Sequence, residues 1–159
     1  MVLVDTTVLS NFAQIQRPEW VQLVLPDAVT TEWVIQELES GVSQGYVPLC
    51  DWSWVGIVQL SQDEQMSLDR ACLVLDKGEA SCIAVAVGRD AMLYTDDLLA
   101  RSSARQEGID VSGTLGVLAK LVFKGYLSVK EADRHLRTMI AHGYRSPVDS
   151  LSDLGITEP

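Results

Sequence analysis

Residues 91–118, AMLYTDDLLARSSARQEGIDVSGTLGVL, are the stretch whose reading decides the fold. A short apolar run, Ala91–Tyr94, stops at Thr95-Asp96-Asp97, and a helical segment follows through Leu98–Gln106. Gly108 leads to a second short strand, Ile109–Val111, and Ser112-Gly113-Thr114 opens an apolar helix, Leu115–Phe123, ended by Gly125. Short strands that alternate with helices require right-handed crossovers, which give a parallel sheet covered on both faces.

The same alternation runs outward to both ends of the chain. Met1–Val4 is a strand ending at Asp5, with Thr6 or Thr7 placed to cap a helix through Val8, Leu9, Phe12 and Ala13. Arg17-Pro18 breaks that helix, Trp20–Leu25 forms a further turn or two, and Ala28–Thr30 is a strand. Thr31 opens a helix with Trp33, Val34 and Leu38 on one face, stopped at Gly41. A loop over 42–51 precedes a strand at Trp54–Leu60. Ser61 with Glu64 three residues on signs a capping box, and that helix carries Met66, Leu68, Ala71, Cys72 and Leu75. Gly78 introduces a nearly all-apolar, and therefore central, helix over Glu79–Val87. An amphipathic helix over Val129–His142 follows the last strand–helix pair. No repeat or linker divides the chain, so one α/β domain is expected.

At 159 residues, with 47% hydrophobic and 21% charged residues, the chain can bury a real core. No apolar run approaches the ~20 residues that span a bilayer, so no membrane association and a cytoplasmic location are expected. Cys50, Cys72 and Cys82 show no metal-ligand pairing and read as buried free thiols. The net charge of -10 is uneven: residues 1–100 hold 15 acids against 4 Lys/Arg, and residues 101–159 hold 7 against 8. Strong non-specific binding to nucleic acid is therefore not expected.

Within the acidic half, carboxylates fall where a parallel sheet gathers ligands, outside the strand carboxyl ends at the point where strand order reverses. Asp5 and Asp96-Asp97 each end a strand, and Glu37 and Glu79 lie on helices. Acids converging in one crevice repel one another unless a cation sits among them. Each has an ordinary alternative: Asp5 as a helix cap, Glu37 as solvated helix surface, Glu79 as a favourable charge at a helix start, and Asp96-Asp97 as a turn with a cap. Spacing does not say which of Asp96 and Asp97 faces inward.

With those residues in view, the chain resembles the PIN domain family, and within it the branch related to VapC-type toxins. The matching pieces are VLVDTTVLSNF, VTTEWVIQELESG, LDKGEASCIAVAV, LYTDDLLARSSARQEGIDVSGTLGVL and AHGYRSPVDSL, in the family's order over most of the chain. The resemblance implies a three-layer α/β/α sandwich with a parallel sheet in the order 3-2-1-4-5, as one domain over 1–159 with the C-terminal helical segment 128–159 packed on it. It implies RNA phosphodiester hydrolysis with Mg²⁺ or Mn²⁺, and an antitoxin and a homodimer as protein partners. The family's acids carry over to Asp5, Glu37, Glu79 and Asp97 as the catalytic set, with Asp5, Glu79, Asp97 and Asp96 as metal ligands. Many relatives have Asp at the position of Glu79. Thr6 and Thr114 match positions where relatives carry hydroxyls near the site.

Other residues offer weaker leads. Arg101 and Arg105, one turn apart after Asp97, are placed to touch substrate phosphates, and Arg134, Arg137 and Arg145 form a second basic strip. Trp20 and Trp33 read as core, and His135 and His142 as surface or capping residues. A haloacid-dehalogenase-type phosphatase needs a second Asp where Thr7 stands, a receiver domain needs a Lys after its last strand, and no dinucleotide or P-loop motif is present. The rival of another class is a catalytically silent PIN-like module that binds a basic protein partner.

Overall fold

The computed structural model describes residues 1–157; the last two residues of the expected 1–159 domain lie outside that range. Five strands, β1 (Val2–Val4), β2 (Ala28–Thr31), β3 (Gly56–Val58), β4 (Met92–Tyr94) and β5 (Val111–Ser112), form a sheet in the order β3-β2-β1-β4-β5. Every pairing is parallel. The helices are α1 (Thr6–Gln14), α2 (Glu19–Val24), α3 (Glu32–Ser43), α4 (Gln62–Ala71), α5 (Lys77–Arg89), α6 (Leu98–Gln106), α7 (Thr114–Phe123) and α8 (Val129–Ala141), and a 3-10 turn follows at Leu151–Leu154. The chain moves outward from β1 to β3, then returns to lay β4 on the other side of β1. The reversal therefore falls between β1 and β4, where Val4 pairs with Tyr94.

Helix α5 lies on β1, β2 and β4 and packs with α3, α4 and α6, while α1, α2, α7 and α8 pack among themselves. The central placing of α5 follows from its composition: Ala80, Cys82, Val85 and Ala86 are fully buried. On the other helical group, Leu118, Leu121, Leu136 and Met139 are also fully buried. Each such side chain stabilises the fold by roughly 1.5–3 kcal/mol relative to exposure. The capping box at Ser61–Glu64 forms as the sequence indicates, and a second one, Ser128–Glu131, starts α8.

Several local expectations change. Asp5, not Thr6 or Thr7, caps α1. Met66 is 62% exposed, because α4 turns Glu64 and Leu68 inward and a residue between them points the other way. Strand β5 starts at Val111, since Gly108 takes φ +78 and the Ile109 amide still bonds to the Ala104 carbonyl at the end of α6. Strand β3 shrinks to Gly56–Val58, with Trp54 in a turn. Trp20 and Trp33 are half-buried: His135 meets the Trp20 ring edge-on at 4.8 Å, and the Lys77 ammonium sits 4.6 Å above Trp33. Of the free cysteines only Cys82 is fully buried; Cys50 and Cys72 are half-buried.

Candidate active site

Asp5 is reached directly from β1 and sits on the seam with β4, its amide bonded to the Tyr94 carbonyl at 2.9 Å. The side chain is fully buried. One oxygen accepts from the Thr6 amide at 2.7 Å, and the other from the hydroxyls of Thr95 at 2.8 Å and Thr7 at 3.1 Å. Burial pushes its pKa up to about 6 against the opposing pull of those hydrogen bonds, with the Glu37 charge adding to the rise. The capping role and a functional role thus coexist in one side chain. Of the two hydroxyls that fix its orientation, Thr7 reads in the sequence only as a candidate helix cap, and nothing there singles out Thr95.

Glu37 comes from α3, whose cap Thr31 ends β2. Its carboxylate accepts from the Thr6 hydroxyl at 2.5 Å and from the Gly78 amide at 2.8 Å. The contact explains the glycine: a Cβ at residue 78 would overlap the Glu37 carboxylate. Glu37 therefore sits at the free N–H groups of α5, where the helix dipole favours a negative charge. Glu79, one residue on, is half-buried, and its pKa rises to about 8. Burial is the largest cause, followed by the charges of Asp5, Asp97 and Asp76. Four chain segments thus bring Asp5, Glu37, Glu79 and Asp97 into one electrostatic neighbourhood.

The two adjacent acids after β4 part company. Asp96 turns toward α7, where its oxygens accept from the Thr114 amide and hydroxyl, Asn11 and Tyr144. A Cβ at Gly113 would strike the same carboxylate. Asp96 is a clasp between β4, α1 and α7, each of its oxygens accepting two hydrogen bonds. Thr114, expected near the substrate, is fully buried and its hydroxyl donates to Asp96. Asp97 caps α6 with one oxygen on the Ala100 amide at 2.8 Å; its second oxygen accepts from no described residue. Arg101 places one guanidinium nitrogen 2.7 Å from the Thr95 and Ser112 carbonyls, tying the ends of β4 and β5 together. Arg105 is exposed one turn further on.

Beside the acids runs a groove of about 420 Å³ whose lining includes Thr6, Thr7, Tyr46, Asp97, His142 and Arg145. Tyr46 falls in the 42–51 loop, where no periodicity marks it out in the sequence.

The donor set suits a hard divalent cation, since every candidate group is a carboxylate. Cys82, the nearby thiol, is pushed well up by burial and by the Asp5 and Glu37 charges, so it stays neutral and offers no soft ligand. Neither ion pair among the described residues, Arg17–Glu19 or Arg89–Glu64, touches the cluster. Among the described residues no three His, Cys, Asp or Glu side chains form a ready-made cage. Magnesium-type sites commonly use few protein carboxylates and complete their shell with water.

Among the described residues, no helix is long and apolar enough to cross a membrane. No curated protein and no solved structure matches the chain. A family model described as PIN domain matches residues 1–154. With its parallel 3-2-1-4-5 sheet and acids gathered at the β1–β4 switch point, the chain belongs to the PIN domain family, a nuclease-type fold.

Proposed function

We propose that this PIN domain is a Mg²⁺- or Mn²⁺-dependent endoribonuclease that cleaves RNA phosphodiester bonds, acting as the toxin of a VapC-like toxin–antitoxin pair. Asp5, Glu37, Glu79 and Asp97 hold the cation and form the catalytic set. The observation that carries this reading is Glu79, raised to about 8 by burial and by Asp5, Asp97 and Asp76, in a cluster that forms no ion pair among the described residues.

The chemistry supplied by a bound divalent cation is Lewis-acid polarisation of a phosphate and acidification of an attacking water. The protein's part is preorganisation. Thr95, Thr7 and the Thr6 amide lock Asp5; Thr6 and the Gly78 amide aim Glu37; the cap on α6 fixes Asp97 with one oxygen free. Fixed carboxylates need no reorganisation as charge develops on phosphorus. RNA, rather than DNA, rests on the family resemblance, as do the antitoxin whose segment covers the acids and the homodimer.

One observation favours the silent interaction module instead: Asp5 is fully buried with both oxygens engaged. Incubation of single-stranded RNA with Mn²⁺, with Mg²⁺ or with EDTA separates the two. Cleavage should need the metal and fall about 10²-fold or more in Asp5→Asn, the scale of a lost transition-state contact. Equal cleavage by Asp5→Asn sinks the nuclease reading; absent cleavage with tight capture of a basic peptide supports the module.

A further inference from the structure

We propose that the groove between the loop after α3 and the turn after α8 is a track for single-stranded nucleic acid, in which Tyr46 stacks on a base and Arg145 takes a backbone phosphate. That this track feeds a cleavage site rests on the nuclease reading; that it binds a strand does not.

The floor is the polar face of α1. Thr6, Thr7, Ser10, Asn11 and Gln14 line the groove, while Val8, Leu9, Phe12 and Ala13 face the core. From Thr6 to Gln14 the helix rises about 12 Å. Nothing on that floor is charged, which is unusual on a chain whose net charge is -10. The acids on the lining are Asp96, clasped by Thr114 and Asn11, and Asp97, at the edge of the catalytic cluster. A phosphate backbone can lie here without meeting a row of carboxylates before it reaches them.

Both walls are held rather than loose. The Gln14 side chain donates to the Tyr46 carbonyl at 2.7 Å, and the Tyr46 and Val47 amides both bond to the Gly41 carbonyl. The backbone is thereby fixed while Tyr46 as a residue is left 72% exposed. An aromatic ring presented to solvent from a pinned loop is a stacking platform, and any base free of its own duplex can use it. Across the groove, the Tyr144 hydroxyl donates to Asp96 and its amide to the Met139 carbonyl, which places Arg145 on the rim. Arg145 is exposed and joins no ion pair among the described residues, so its charge is available to a phosphate.

The test is fluorescence anisotropy with a labelled single-stranded oligoribonucleotide, and with the same strand annealed to its complement, using Ca²⁺ in place of Mg²⁺. Tyr46→Ala should weaken single-strand binding about tenfold, the scale of one lost base stack. Arg145→Ala should weaken it and lower the salt slope by about one. Tyr126→Ala and Lys124→Ala, exposed residues off the groove, should bind as the parent does, and the duplex should bind less tightly than the single strand. Parent-like binding by Tyr46→Ala, or no single-strand binding by the parent, overturns the track. The two ideas fail separately. Cleavage lost in Asp5→Asn beside unchanged binding by Tyr46→Ala sinks the track alone; binding lost in Tyr46→Ala, in a protein that never cleaves, sinks the nuclease alone.

Discussion

Replacing Glu79 by Gln should stabilise the metal-free protein and remove its response to divalent cations. Folded Glu79 keeps its proton up to about 8, against 4.5 for the ordinary group. Between those values the folded state binds more protons than the unfolded one, so stability falls as pH rises through the window and the penalty is complete above it. At about 1.4 kcal/mol per unit the full shift would be worth about 5 kcal/mol. Glu79 is only half-buried, and solvent screening cuts this to roughly 1–2 kcal/mol. For a chain of this length that is about 2–8 °C of melting temperature. Gln cannot ionise, so its advantage in EDTA should be greatest near about pH 9 and vanish near about pH 4. With Mn²⁺ the order should reverse, because only the parent gains a cation that offsets the repulsion. Melting curves across pH, with EDTA and with Mn²⁺, read both signs. A Gln variant no more stable than the parent at high pH in EDTA would refute the crowding of negative charge on which the site is built.

Asp96→Ala and Asp97→Ala should differ in kind: the first removes a buried clasp and should cost about 3 kcal/mol or more by chemical denaturation, whereas the second should cost about 1 kcal/mol of helix capping yet abolish cleavage. Gly78→Ala should cost about 1–3 kcal/mol through overlap with Glu37, read as a lower melting temperature, and should raise the metal concentration needed for cleavage. Glu64 is held down to about 2, chiefly by Arg89. Its contribution is present above 4.5 and is lost as pH falls toward about 2, so the parent should lose roughly 1–3 kcal/mol more than Arg89→Ala across that window.

The sheet was legible because a parallel strand buried on both faces reads as an apolar run stopped by an acid, as at Val4-Asp5 and Tyr94-Thr95-Asp96. Helix α5 was legible from its unbroken apolar character. The roles of Asp96 and Asp97 were not, because what separates them is Thr114, Asn11 and Tyr144, all distant in sequence and brought together only by the fold. Spacing alone left Glu37 open between helix surface and site for the same reason: the Gly78 amide that donates to it lies on another helix. Nor does helical spacing reveal that one Arg101 nitrogen bridges two strand-end carbonyls, which only the fold brings together.

Counting bound Mn²⁺ by its electron paramagnetic resonance signal, in the parent and in Asp97→Asn, reaches the heart of the matter. The parent should take up the ion at its acid cluster and Asp97→Asn should hold it far more weakly, with both proteins melting within a few degrees of each other in EDTA. Uptake that is equal in the two proteins, or none by the parent at millimolar Mn²⁺, would contradict a metal centre at the β1–β4 seam.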